Sequence, residues 1–162
     1  MSKIKLLISL LTSFLIFSCT NSQIKYPNQK YSLAYIPGEF DGLLLKNYLL
    51  SSLKNLNSYD KNSNFEISAE IIHSSNLFIT NINNTSDREK IDTNLSIKIL
   101  DTHSSCNVFE DEITISQYYI FAPSDKFISN QTALRKIKKD NTEKLVRQFI
   151  YQLKDIKNEC NE

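Results

Sequence analysis

Five side chains of the 162-residue chain hold its thiol and imidazole chemistry: Cys19, Cys106, Cys160, His73 and His103. A thiol beside an imidazole can make a nucleophile, and His103-Ser104-Ser105-Cys106 brings the two types close in sequence. The surrounding stretch, Asp101-Thr102-His103-Ser104-Ser105-Cys106-Asn107, is rich in residues that bend a chain, and reads as a turn. Glu110, Asp111 and Glu112 are successive acids. Neighbours on a strand point to opposite faces, so these three do not form one carboxylate pair. No Cys-x-x-Cys, His-Glu-x-x-His or glycine-rich phosphate loop occurs in the sequence. The expectation is a protein that is not an enzyme and that holds no metal or cofactor.

Cys19 stands apart, at the end of MSKIKLLISLLTSFLIFS. Lys3 and Lys5 make a basic start, and Leu6 to Phe17 is apolar except for Ser9, Thr12 and Ser13. That run is about a dozen residues, short of the roughly 20 that span a bilayer. A basic start, a short apolar core and a small residue at a junction describe a secretory signal. Ile16-Phe17-Ser18-Cys19 resembles the bacterial lipobox, with Phe17 bulkier than usual and Ile16 where Leu is commoner. The resemblance implies cleavage before Cys19 and acylation of that residue, palmitate included. An ordinary signal peptide cut after Ser18 is the alternative. Several acyl chains anchor a protein stably where one does so only marginally. Thr20 follows the cysteine, and its likeness to known sorting signals favours the outer membrane. The organisation expected is a cleaved signal peptide at 1–18, a lipidated terminus and tether at 19–29, and one domain at 30–162.

Lys and Arg number 19 against 18 Asp and Glu, so no electrostatic case exists for nucleic acid as a partner. The abundance of Asn, Lys, Ile and Ser does not signal disorder, because the apolar residues are well patterned.

The elements that must position any site follow from that pattern. Residues 30–36 read as a strand with Tyr31, Leu33 and Tyr35 on one face, ended by Pro37-Gly38. Asp41 is placed to cap the next helix, whose stripe is Leu45, Leu49, Leu53 and Leu56, with Leu44 and Tyr48 beside it. Residues 57–64 form a polar loop. Residues 65–71, 91–99 and 108–120 alternate, the last with Phe109, Ile113 and Ile115 on one side. Residues 76–88 read as a connection in which Leu77, Phe78 and Ile79 can extend the earlier strand, and 122–130 as a loop containing Pro123. Thr132 to Lys157 repeats apolar residues at Leu134, Ile137, Leu145, Phe149, Leu153 and Ile156, a helix on the order of 40 Å long.

The order β-α-β-β-β-α predicts an α+β, two-layer sandwich: a four-stranded mixed sheet with two helices on one face. The other face would carry Glu66, Ser68, Glu70, Asp92, Asn94, Ser96, Lys98, Thr114 and Ser116, a pattern that solvation alone explains. Arg135, Lys136, Lys138 and Lys139 cluster early in the last helix. The last strand leaves the Cys106 turn and the last helix must return toward it, which makes a Cys106–Cys160 disulfide the expected pairing; two inert thiols are the alternative.

Three passages resemble the LptE lipoprotein family. Tyr35 to Leu49 looks like its first strand running into a helix that begins near a Gly and continues Leu-Lys-Asn. Asp92 to Leu100 with the following turn and strand is the second. Ser116-Gln117-Tyr118-Tyr119, then Ser124-Asp125-Lys126-Phe127 before the long helix, is the third. Tyr119 departs from the family's Asn, and Phe127 from its Tyr. The resemblance implies an outer-membrane lipoprotein facing the periplasm. It would plug and help assemble the LptD β-barrel, through which lipopolysaccharide travels to the cell surface. Basic candidates for lipopolysaccharide are Arg88, Lys90, Lys126 and Arg135; aromatic candidates for the barrel contact are Tyr118, Tyr119, Phe121 and Phe127. The alternative is a periplasmic lipoprotein serving an ABC transporter or binding a small amphipathic ligand.

Overall fold

The computed structural model describes residues 29–79, 86–120, 127–156 and 160. The expected signal peptide, Cys19 and the expected tether up to residue 28 lie outside the described residues, as do Phe121 and Lys126. Six elements follow in order: β1 (Ser32–Leu33), α1 (Phe40–Asn55), β2 (Phe65–Ile79), β3 (Ser86–Asp101), β4 (Cys106–Ile120) and α2 (Phe127–Gln152). The sheet is ordered β1-β2-β3-β4. β1 lies parallel to β2 and the other pairs are antiparallel. The α+β, β-α-β-β-β-α order read from the periodicities is the observed one.

The parallel pair requires a crossover, which α1 supplies. β2 and β4 run up the sheet; α1 and α2 each run back down the same face and pack on each other. The row Phe65–Asp101–Cys106 therefore marks the lower end, and Phe78–Arg88–Ile120 the upper end.

Leu45, Leu49 and Leu53 are fully buried, as the helical stripe requires. On β3, Ile91, Thr93, Leu95, Ile97 and Ile99 face the helices and are buried. Leu145, Val146, Phe149, Ile150 and Leu153 close the layer from α2. Each such side chain contributes about 1.5–3 kcal/mol relative to exposure. A register shift between Ile99 and Leu100 leaves Val108 without a partner on β3. That bulge lets Val108 enter the core next to Phe109.

Several boundaries differ from expectation. The first strand is two residues, not 30–36. Tyr31 N donates to Ser58 O at 2.8 Å and Asp60 N to Tyr31 O at 2.9 Å, so the chain is clamped by the 58–60 turn as well as by β2. It leaves the sheet after Ala34, so Tyr35 is 86% exposed while Tyr31 is buried. Asp41 does not cap α1. Glu39 holds that position without a side-chain cap bond, and Asp41 sits inside the first turn. Gly42 explains the tight entry: a Cβ there would lie 2.1 Å from the Pro37 carbonyl oxygen. Gly38 makes the preceding bend at φ +97°, a conformation that suits glycine.

Most of the expected 76–88 connection is strand, because β2 continues to Ile79 and β3 starts at Ser86. α2 begins at Phe127, inside the expected loop, and ends at Gln152. At the lower end Cys106 is bonded to Cys160, closing a sequence separation of 54 residues. A loop of that size contributes about 4 kcal/mol through the unfolded state.

Candidate functional site

Two surfaces carry groups that the core does not consume. The first is the open face of the sheet. Successive rows across β2, β3 and β4 are Ser68–Lys98–Glu110, Glu70–Ser96–Glu112, Ile72–Asn94–Thr114, Ser74–Asp92–Ser116 and Asn76–Lys90–Tyr118. The polar residues read from the alternation all lie here. Lys90 Nζ is 2.8 Å from Asp92 Oδ1, and Ser116 donates to the same carboxylate. These bonds hold the Asp92 carboxyl below its usual range, Lys90 contributing first and Ser116 second. The bond to Asp92 raises the Lys90 ammonium, against a smaller effect of desolvation. Asn94 donates to Glu112, and Lys98 approaches Glu110 at 3.6 Å. Among these polar rows, Ile72 in the middle row and Tyr118 and Ile120 at the upper end of β4 are 58%, 59% and 77% exposed.

The candidate residues divide between two sides of the molecule. Tyr118 belongs to the open face, but Tyr119 points to the helix side, as adjacent strand residues must. Its hydroxyl donates to Glu89, and burial first, then this carboxylate, pushes its pKa upward. Phe127 is exposed in the first turn of α2, on the helix layer. Arg88 and Lys90 share the open face, whereas Arg135 lies across the sheet on α2. Tyr118 and Tyr119 therefore face opposite sides of the sheet, as do Arg88 and Arg135. Glu110 and Glu112 take the open face while Asp111 accepts from Gln152 at 3.0 Å on the other. In the turn, Asp101 accepts from His103 N at 2.9 Å and from Ser104 Oγ at 2.7 Å. Those bonds, the hydroxyl foremost, lower the Asp101 carboxyl. Cys106 is occupied by its disulfide.

The second surface is a cleft of about 520 Å³ between the helices. Phe40, Asp41 and Leu44 of α1 form one wall; Gln131, Leu134, Arg135, Lys138 and Lys139 of α2 form the other. It arises because α1 has 16 residues and α2 has 26. Asp41, in the first turn of α1, lies 3.9 Å from Lys138, about three turns into α2. Those early turns of α2 thus pass the start of α1 with no helix beside them.

Beneath Asp41 is a buried polar group that periodicity did not reveal. Thr93 Oγ1 is 2.9 Å from His73 Nδ1 and accepts from Asn141 Nδ2 at 2.9 Å. The His73 side chain is 2% exposed, and its Nε2 stands 3.9 Å from Asp41 Oδ2. Neither Nε2 nor Asn141 Oδ1 has a hydrogen-bond partner. Thr93 donating to Nδ1 would put the ring hydrogen on Nε2, facing Asp41. Burial lowers the His73 pKa; Asp41 acts in the opposite direction, and Lys138 adds to the lowering. The sequence signals were polar residues at inward positions: His73 and Thr93 on odd-numbered strand sites, and Asn141 on the apolar stripe of α2.

The chain resembles three solved lipoproteins along most of their lengths. Rare lipoprotein B from Shewanella oneidensis matches at TM-score 0.60 and 10% identity, covering 76% of this chain and 90% of that one. Lipoprotein B from Nitrosomonas europaea matches at TM-score 0.62 and 13% identity, covering 85% and 90%. A minor lipoprotein from Acinetobacter baumannii matches at TM-score 0.59 and 15% identity, covering 81% and 94%. No family model and no curated protein matches the sequence. Rare lipoprotein B is of the LptE type, so the fold of this chain is the one carried by LptE-type lipoproteins.

Proposed function

We propose that this chain is a bacterial lipoprotein anchored through Cys19 in the outer membrane. There it plugs an LptD-type β-barrel from the periplasmic side, assists its assembly and serves lipopolysaccharide transport. The role is non-enzymatic. The observation that carries this reading is the open sheet face: three strands of 15–16 residues whose outward side no element covers among the described residues. Its rows are largely polar, with ion pairs at Lys98–Glu110 and Lys90–Asp92, as a barrel lumen is polar. Toward the upper end, Tyr118 and Ile120 stand exposed at successive outward positions of β4, apolar surface available to a partner. The likeness to rare lipoprotein B supports the same reading.

The test is affinity purification of the full-length protein from detergent-solubilised native membranes. A large outer-membrane barrel at near-equal amount is the expected companion, with a photocrosslinker at Tyr118 joining the two. An inner-membrane transporter as companion, or no companion at all, would overturn the barrel role and leave the lipid anchor standing.

A further inference from the structure

We propose that the cleft between the N-terminal parts of α1 and α2 binds an anionic single-chain amphiphile. The acyl chain would lie against Phe40, Leu44 and Leu134, and the charged head would sit among Arg135, Lys138 and Lys139. The cleft is on the helix side of the sheet, so this site does not depend on the open face or on a barrel.

Four observations carry it. The volume, about 520 Å³, falls within the roughly 300–1,000 Å³ of small-ligand pockets. The walls are divided in chemistry, with apolar side chains on both helices and the basic ones along α2. Phe40 is 71% exposed there, an aromatic ring that the fold itself leaves uncovered. Three cations meet a single carboxylate, Asp41, although the whole chain carries a net charge of only +1. Arg135, Lys138 and Lys139 stand three and four residues apart on one helix, a like-charge spacing that is unfavourable, and a bound anion relieves that arrangement.

A fifth observation lies below the cleft. His73 Nε2 is buried, unpartnered and directed at Asp41. Asp41 stands 3.9 Å from both His73 and Lys138, too far for a hydrogen bond to either. An anionic head that takes Lys138 frees Asp41 to close on Nε2, so binding completes a bond that the empty cleft leaves open. A neutral amphiphile would not compete for Lys138 and would leave His73 as it is.

The experiment uses membranes from cells producing the full-length chain. They are labelled with a diazirine-bearing long-chain fatty acid, the matching fatty alcohol, or a diazirine lysophosphatidylglycerol, and adducts are mapped by peptide mass spectrometry. The fatty acid should label the peptides containing Leu44 and Leu134. The double variant Arg135→Glu/Lys138→Glu should reduce that labelling at least fivefold. Lys144→Glu, on the same helix but outside the cleft, should not. Labelling by the single-chain phospholipid as well would identify a membrane-derived lysolipid as the source; labelling by the fatty acid alone, a free acid. Equal labelling by the alcohol would overturn the charged head, and adducts spread over other surfaces would overturn the site. Retention of the Cys106–Cys160 bond in each variant, checked on the same digests, separates loss of the site from loss of the fold. A Leu134→Gln variant that keeps full labelling would also overturn the acyl wall.

Discussion

The lower and upper halves of the two-layer domain are built from different materials. Below, Leu45, Leu49, Leu53, Ile97, Ile99 and Phe149 form an apolar layer, and the disulfide ties the end. Above, the equivalent inward positions are Thr93, His73, Asn141 and Thr142, and the helix layer thins to α2 alone. Phe109 and Phe149 stack at 6.1 Å in the lower half; in the upper half Leu77 is 64% exposed on the inward side of β2. Stability is thus concentrated at one end. The other end keeps polar groups, an open cleft and exposed apolar residues, the features that partners and ligands use.

The comparison can be broken from the lower half first. Phe149→Ala should cost about 3–5 kcal/mol, because it opens a cavity under a fully buried ring; denaturant unfolding measures it. Reduction, or Cys106→Ser, should cost about 2–4 kcal/mol by the same measurement. An equal loss from Leu134→Ala in the upper half would contradict the division.

The upper half gives smaller effects. Thr93→Val removes the hydroxyl that serves both His73 and Asn141, so the cost should be about 1–3 kcal/mol from buried groups left without partners. Replacing Thr93, His73 and Asn141 together by apolar residues of similar shape should restore most of that loss. The pH dependence sharpens the same point. Burial holds the folded His73 pKa below the ordinary 6.5, so the unfolded chain binds the proton first as pH falls. The stability due to neutral His73 is full above about pH 6.5 and is lost as pH drops through the lowered folded value. His73→Gln should flatten that stretch of a stability–pH profile. Smallest of all, Lys98→Ala on the open face should change stability by under 1 kcal/mol, since its pairing with Glu110 is exposed.

How much was legible differs between the halves in the same way. The lower core could be read because Leu45, Leu49 and Leu53 repeat at helical spacing and β3 alternates without interruption. The upper half could not, since polar residues at inward positions look like loops or solvent faces. For that reason residues 76–88 read as a connection in which only Leu77, Phe78 and Ile79 can extend β2, and the last helix reads as starting at Thr132 rather than Phe127. Asp41 looked like a cap by type and place. Its position in the first turn instead directs it toward His73 and Lys138, two residues remote in sequence.

The sequence by itself determined the element order and the buried and open faces of the sheet, because periodicity and local composition are one-dimensional signals. Only the tertiary structure decided which inward polar residues meet, that the shorter α1 leaves a cleft beside α2, and that Arg135 lies across the sheet from Arg88 and Lys90. Those features depend on helix lengths, strand register and a bulge at Val108 taken together. No local stretch of chain contains the sum.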